Sequence, residues 1–198
     1  MKEKYPTVTF ERYADDVIYH CKTRYMAERL LTSIRERLDD CKLKLHPEKS
    51  KIVYCKDNTR RGDYEHIQFD FLGYNFRPRL VKARKGNFFV SFTPAISKKA
   101  RNKISDVIKS WKIHLWSYQT LEAISDILNP KIHGWLNYYG KYQKSAMGSV
   151  ASQIDFALVR WAKRKYKKLK PSYRKSTRWL KGIKERQPDL FAHWNIVK

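Results

Sequence analysis

The sequence predicts an α+β fold in which a half with an antiparallel sheet precedes a helical half. Residues 1–94 alternate short apolar strands with a helix, residues 95–198 show helical periodicity, and all six tryptophans lie in the second half. Of the net charge of +24, the second half carries +17. We therefore expect two domains, residues 1–94 and 95–198, with their boundary near Pro94.

The first half combines one helix with several strands. Met26, Leu30, Ile34 and Leu38 recur at the spacing of one helix face, which predicts a helix over residues 22–40. Short runs of β-branched and aromatic residues between polar segments predict strands. The predicted strands are residues 7–10, 17–19, 52–54, 68–76, 80–81 and 87–92, with a turn at 85–87.

The second half contains four recognisable helix starts. Ser97 and Thr120 each precede apolar residues at helical spacing and are predicted N-caps, the second for a short helix that ends at residue 128. Asn129-Pro130 is predicted to open a new helix, because proline is favoured in the first turn. Ser149 precedes a fourth apolar stripe, and no detailed structure is predicted after Pro171.

Composition limits the class of protein and its partners. Lys and Arg number 43 against 19 Asp and Glu, and 14% of residues are aromatic, so a folded basic protein with a polyanionic partner is expected. The three cysteines form no C-x-x-C pair, which argues against a disulfide scaffold or zinc ribbon and fits a reducing, cytoplasmic location. No apolar run approaches 18 residues and no signal-peptide pattern is present, so no membrane partner is expected.

The tetrad Tyr13-Ala14-Asp15-Asp16 is the sharpest chemical motif. Its two adjacent carboxylates repel each other in a turn between two apolar strands, and a divalent cation would neutralise them. Mg²⁺ commonly takes one or two carboxylates together with substrate phosphates and water. Two such ions about 4 Å apart stabilise the attacking and leaving oxygens of phosphoryl transfer. Without further context, however, two adjacent aspartates favour a solvated turn.

The tetrad between two strands resembles the catalytic motif of reverse transcriptases. Residues 43–51 (LKLHPEKSK) and 69–74 (FDFLGY) look like the next two palm motifs, and residues 128–139 (LNPKIHGWLNYY) are similar to the maturase-specific region of group II intron reverse transcriptase/maturases. The resemblance covers nearly the whole chain and matches the C-terminal part of that family. It implies a partial polymerase palm with an antiparallel sheet, followed by an all-helical thumb/maturase domain.

The resemblance implies roles for particular residues in the first half. Asp15 and Asp16 match the paired catalytic, Mg²⁺-binding aspartates, and Asp15 is favoured as the direct ligand. Tyr13 would lie near the primer terminus or the incoming nucleotide. Lys49 matches a catalytic lysine that acts near the triphosphate, although a solvated turn lysine remains the alternative.

A primer grip is implied at the Phe-Leu-Gly sequence that follows. Phe71, Leu72 and Gly73 would support the primer strand. Phe71 and Leu72 are also candidates for the hydrophobic core. Gly73 is alternatively required only where the backbone approaches a neighbouring strand or ligand closely.

One catalytic carboxylate of the family has no counterpart. It belongs to an earlier palm strand, and the only acids before Tyr13 are Glu3 and Glu11, neither of which can occupy that strand. The fingers are also missing, so the two-metal site is expected to be incomplete. The resemblance therefore implies a truncated or split enzyme. Whether a separately encoded N-terminal reverse transcriptase part is a partner stays open.

The strongest basic segment covers residues 160–186, with 13 Lys and Arg and one acid. Lysine and arginine engage phosphates, and interleaved aromatic rings can stack on unpaired bases. This density favours nucleic-acid contact over a solvated helix face, and the resemblance implies structured RNA. The candidate RNA-binding residues are Arg160, Lys163, Arg164, Lys165, Lys167, Lys168, Lys170, Arg174, Lys175, Arg178 and Trp179.

Two functions follow from these observations. The first is an RNA-directed DNA polymerase and intron maturase of a mobile element, acting on intron RNA and on an RNA template with a DNA primer. The second is a non-catalytic RNA-binding maturase module that assists splicing. The activity of this chain alone stays open, because the fingers and the first palm carboxylate are missing.

Overall fold

The computed structural model describes residues 5–60, 62–83 and 85–197. The chain divides into two compact units, residues 1–71 with 77–92, and residues 72–76 with 93–198. The strands are β1 (Thr9–Tyr13), β2 (Asp16–His20), β3 (Phe69–Phe71), β4 (Tyr74–Lys82) and β5 (Phe88–Ile96). The helices are α1 (Arg24–Asp40), α2 (Lys98–Ser110), α3 (Leu121–Tyr139), α4 (Gly148–Lys165) and α5 (Tyr173–Arg186).

The predicted mixed fold with an antiparallel sheet and a helical second half is confirmed. Strands β1 and β2 form an antiparallel hairpin, and a separate sheet has the order β3-β4-β5. The expected single strand over residues 68–76 is wrong, because Leu72 and Gly73 adopt positive φ angles of 49° and 78° and interrupt it. Residues 52–54 form no strand either.

The first unit buries little apolar surface. Of its described residues, only Val8 and Leu30 are buried hydrophobic side chains. Helix α1 begins one residue after Thr23, whose hydroxyl accepts a hydrogen bond from the Met26 amide at 3.1 Å. Its apolar stripe is present as predicted, but most of the stripe is only half-buried.

The second unit contains the main hydrophobic core. The core joins α2, α3, α4, α5 and the C-terminal 3₁₀ helix Ala192–Val197, with Ile154, Leu158 and Trp161 of α4 fully buried at its centre. The predicted N-caps of α2 and α3 are confirmed: the hydroxyls of Ser97 and Thr120 each accept a backbone N–H bond at 3.1 Å. These caps fix where both helices enter the core.

Helix α3 continues through Pro130, so the predicted helix start at Asn129 is wrong. The Asn129 side chain does not cap a helix. Its amide nitrogen donates to the Leu190 carbonyl at 2.9 Å, and its oxygen accepts from the Ala192 amide at 3.0 Å. Asn129 therefore ties the C-terminal segment to α3, and this tertiary contact explains a residue that by sequence resembles a cap.

The start of α4 differs from expectation, and α5 lies where no structure was predicted. Helix α4 begins at Gly148 without a side-chain cap, so Ser149 lies inside it. After Pro171, Ser172 caps α5 by accepting a bond from the Lys175 amide at 3.2 Å. Across the described residues, no helix has both the length and the apolar character needed to cross a membrane.

Candidate active site and nucleic-acid interface

The two adjacent aspartates lie at the tip of the β1–β2 hairpin. The strand register pairs Tyr13 with Asp16 and leaves Ala14 and Asp15 as the connecting loop. Ala14 has a φ of 50°, which a residue with a side chain rarely adopts. The Arg12 guanidinium donates to the Ala14 carbonyl at 2.9 Å and holds this conformation. A strained loop therefore presents the carboxylates, which is a feature found at functional sites.

Both carboxylates are exposed and make no side-chain hydrogen bond or ion pair with another described residue. Two hard, unpartnered oxygen donors fit Mg²⁺, which retains water and takes few protein ligands. Within the described residues, no three Asp, Glu, His or Cys side chains gather as a metal site. Glu11 pairs with Ile18 and lies farther along the same face as Asp16, and Glu3 lies outside the described residues.

Of the other residues predicted for the first unit, Tyr13 belongs to the aspartate hairpin. It pairs with Asp16 in the strand register and is 62% exposed. Lys49 is exposed in the turn after His46, which the Ser50 amide closes by donating to the His46 carbonyl at 3.0 Å. Phe71 ends β3 and is half-buried. The hairpin thus brings Tyr13 together with the aspartates, whereas Lys49 and Phe71 lie on other segments.

Leu72 and Gly73 form a tight turn that is fixed within the second unit. Positive φ at both central residues is the requirement of a two-residue hairpin turn. The Tyr138 hydroxyl donates to the Leu72 carbonyl at 2.9 Å, and the Ser97 amide donates to the Gly73 carbonyl at 2.9 Å. A Cβ at Gly73 would lie 2.9 Å from the Tyr139 hydroxyl oxygen. The predicted close backbone approach at Gly73 is therefore present, and its neighbour is α3.

Four tyrosine rings pack together next to this turn. The Tyr74 ring lies 5.2 to 5.7 Å from the rings of Tyr138, Tyr139 and Tyr142, and its hydroxyl donates to the Tyr138 carbonyl. Burial and the neighbouring phenols raise the pKa of Tyr74. The Asn-Tyr-Tyr sequence of α3 was the available signal for this cluster, but sequence alone did not indicate that it holds the turn.

The basic segment presents most of its cations to solvent. Lys165 is an exception, because its ammonium group donates to the Ser117 and Gln119 carbonyls at 3.1 and 2.5 Å. Lys163 is half-buried. Trp179 packs against the core, with its ring 5.3 Å from that of Tyr166. The exposed cations of the segment are Arg160, Arg164, Lys167, Lys168, Lys170, Arg174, Lys175, Arg178, Lys181 and Arg186.

Part of this segment lines a cavity of about 500 Å³ that is wide open to solvent. Its lining consists of His114, Arg160, Lys163, Arg164 and Lys170. Partial burial and the charges of Arg160 and Arg164 lower the pKa of His114. His114 lies 46 residues before Arg160 in the chain and carries no motif of its own, so the sequence does not indicate that it joins these cations.

A buried histidine lies elsewhere in the second unit. His193 is 1% exposed, its Nε2 lies 2.9 Å from Asp155 Oδ1, and its Nδ1 has no hydrogen-bond partner. The Trp194 indole donates to the same Asp155 oxygen at 2.8 Å. Burial lowers the pKa of His193, against the opposing effect of Asp155. This pair attaches the C-terminal 3₁₀ helix to α4 and is a structural contact.

Comparison with known families identifies both units. Residues 1–76 match the family model for reverse transcriptase (RNA-dependent DNA polymerase). Residues 101–180 match the model for the group II intron, maturase-specific domain. The first match includes the aspartate hairpin and the Leu72-Gly73 turn, and the second includes α3, α4 and most of the basic segment. No curated protein matches the chain.

Proposed function

Because this chain belongs to the group II intron reverse transcriptase/maturases, we propose that it binds structured intron RNA through the basic segment of its second unit. The observation that carries the proposal is the run of exposed cations at residues 160–178, none of which makes an ion pair with another described residue. Contacts between such cations and phosphate groups provide most of the affinity of proteins for nucleic acid. Binding to the intron would make the protein a partner of that RNA in splicing.

Salt dependence tests this proposal. If about six of the cations reach phosphates, log K should fall against log salt with a slope of about −4, so raising salt from about 50 to about 200 mM weakens binding a few hundred-fold. Neutralising Lys163, Arg164, Lys167 and Lys168 to Gln should flatten the slope by roughly 2 to 3 units. Filter binding of a structured group II intron RNA provides the measurement.

A matched variant controls for total charge. Arg35, Arg37, Lys44 and Lys51 are four exposed cations of the first unit, and changing them to Gln removes the same net charge. For this variant we expect the slope of log K against log salt to stay within about half a unit of the wild-type slope, because no phosphate contact is lost. If the two four-residue variants give equal slopes, RNA binding depends only on the net charge of the protein, and the basic segment is not the RNA-binding site.

The carboxylate hairpin supports a second function, Mg²⁺-dependent nucleotidyl transfer to a DNA primer on an RNA template. Asp15 and Asp16 would hold the ion, which when bound neutralises the developing charge on the phosphates. The chain's own contribution is to present two oxygen donors on a loop held by Arg12. The Leu72-Gly73 turn would support the primer strand.

Metal binding can be measured separately from catalysis. The electron paramagnetic resonance signal of free Mn²⁺ should fall when wild-type protein is added with primer–template and nucleotide, and should fall less with the Asp15→Asn/Asp16→Asn variant. Glu11→Gln is the matched control on the same hairpin and should behave as wild type. Identical Mn²⁺ binding by all three proteins would mean that the pair is not a metal site.

The same hairpin also limits the expected catalysis. No third carboxylate joins the pair within the described residues, so a two-metal site lacks a ligand. We expect the purified 198-residue chain to show little or no primer extension with Mg²⁺. This outcome would favour the non-catalytic maturase function for the chain alone. Robust extension that Asp15→Asn abolishes would refute the argument from the missing ligand.

A further inference from the structure

The cationic cavity of the second unit differs from an ordinary basic surface. Its five lining side chains come from three separate segments: the 3₁₀ helix Ile113–Leu115, α4, and the turn that follows α4. Arg160, Lys163 and Arg164 share one face of α4 because they are three and four residues apart. Lys170 and His114 reach the same cavity from the other two segments. The fold therefore gathers charges that the sequence separates.

Helix electrostatics explain only part of this arrangement. Basic residues in the last turn of α4 complement the negative end of the helix dipole. The dipole does not account for Lys170, which lies beyond the helix, or for the absence of any acidic residue from the lining. Like charges at this spacing destabilise a helix. A bound anion would remove that repulsion.

The size of the cavity allows more than one anionic group. Its volume of about 500 Å³ exceeds what a single phosphate needs, and its open side leaves part of a bound ligand in solvent. Guanidinium groups bind phosphate in a bidentate manner, and lysines add point charges. A single RNA strand can fold its backbone into such a concavity. A duplex keeps its phosphates on the outside of a regular helix and would meet only the rim.

His114 adds a group that suits ribose. A neutral imidazole has one donor and one acceptor nitrogen. The 2′-hydroxyl of RNA also donates and accepts, and DNA lacks it. Because an imidazole nitrogen can hydrogen-bond to a hydroxyl group, the position of His114 among four cations favours a ligand with both phosphate and hydroxyl groups.

We propose that this cavity is a subsite for adjacent phosphates of an unpaired RNA strand, in which His114 contacts a ribose 2′-hydroxyl. The proposal rests on the proposed RNA-binding function and adds the location, the strand state and the sugar preference of one anchoring contact. It divides the basic segment into four cations that converge on one stretch of backbone in the cavity and others that meet RNA outside it.

The test compares two arginine pairs in the full chain. Arg160→Gln/Arg164→Gln alters the cavity, and Arg35→Gln/Arg37→Gln is the matched control, since both pairs are exposed, lie on a helix and remove the same charge, and α1 is outside the proposed RNA-binding segment. Fluorescence anisotropy with a 12-nucleotide single-stranded RNA reports affinity across a salt series. The cavity pair should weaken binding about ten-fold or more and flatten the slope by about 1.4 units. The control pair should change affinity less than about three-fold.

Two further probes test strand state and sugar. An RNA duplex with the same number of phosphates should bind more weakly and distinguish the two variants less. The matching DNA strand should also bind more weakly, and His114→Leu should bring the RNA-to-DNA affinity ratio close to one without changing the slope. Circular dichroism confirms folding, and the Arg160→Lys/Arg164→Lys variant, which retains charge, should keep the slope while losing affinity.

The outcomes separate the two proposals. A wild-type chain that binds no RNA overturns the proposed function, and this inference with it. A wild-type chain that binds RNA equally well in both arginine variants overturns the cavity alone. Equal binding of duplex and single strand overturns the assigned strand state, and an unchanged RNA-to-DNA ratio in His114→Leu overturns the sugar contact.

Discussion

Replacing Gly73 by alanine should destabilise the second unit by two additive effects. An L residue at the observed φ of 78° costs roughly 1–2 kcal/mol. The new Cβ would also lie 2.9 Å from the Tyr139 hydroxyl oxygen and 3.2 Å from its Cε1, and overpacking of this kind costs about 1–3 kcal/mol. The expected loss is therefore about 2–5 kcal/mol in the free energy of unfolding.

Urea denaturation monitored by tryptophan fluorescence can measure this free energy of unfolding, because all six tryptophans belong to the second unit. With a slope of about 2 kcal/mol per M, the midpoint should fall by about 1 to 2.5 M. Gly134→Ala is the matched control. Gly134 lies inside α3 with no atom within 4 Å of its added Cβ, so alanine should stabilise the unit by about 0.5–1 kcal/mol.

A double-mutant cycle separates the two effects at Gly73. Tyr139→Phe removes the atom at 2.9 Å, so it should recover about 1 kcal/mol of the loss in the Gly73→Ala background. The remaining loss then reflects the left-handed backbone and the ring carbon at 3.2 Å. If Gly73→Ala behaves like Gly134→Ala, or if the cycle shows no coupling, the turn is not packed against α3 and the reasoning is wrong.

Three other side chains give sharp expectations. Tyr138→Phe deletes the exposed bond to the Leu72 carbonyl and should cost about 0.5–1 kcal/mol by the same urea assay. Lys165→Met leaves two carbonyls without their charged donor and should cost about 1.5–3 kcal/mol, with no change in the salt slope of RNA binding. Because burial holds the pKa of His193 below its unfolded value, its contribution is complete above about pH 6.5 and is lost as pH falls through the folded pKa. His193→Gln should therefore reduce the fall in stability between about pH 7 and 5, measured by thermal unfolding, and an identical pH profile would contradict this assignment.

Local signals in the sequence were sufficient where the chain interacts with itself over a few residues. The hydroxyls of Ser97 and Thr120 cap the helices that they precede, since a cap depends only on the next three residues. The same signal failed at Asn129, where the side chain bonds to a segment about sixty residues away. Asparagine has the same hydrogen-bonding groups in both settings, so sequence cannot distinguish a cap from a tertiary tie.

The candidate sites likewise combine features that the local sequence predicts with features that depend on distant parts of the chain. The position of Asp15 and Asp16 at a hairpin tip follows from two flanking apolar strands, and the structure has that hairpin. The left-handed Ala14 beside them could not be foreseen, because alanine does not favour that conformation. The inclusion of His114 in the cationic cavity depends on how a 3₁₀ helix packs on α4, which no local pattern encodes.

The two units differ in how firmly they can hold their functional groups. In the described part of the first unit, the aspartate loop rests on a two-stranded hairpin whose strands bury none of their own side chains, and such hairpins are marginally stable alone. The cationic cavity instead rests on α4, where fully buried Leu158 and Trp161 fix the helix that carries its arginines. Charges on a well-packed helix bind at a lower ordering cost than charges on a hairpin that buries none of its own side chains. We therefore expect the proposed RNA contact of the second unit to form without metal, and the proposed metal binding of the first to need the substrate phosphates that complete the site.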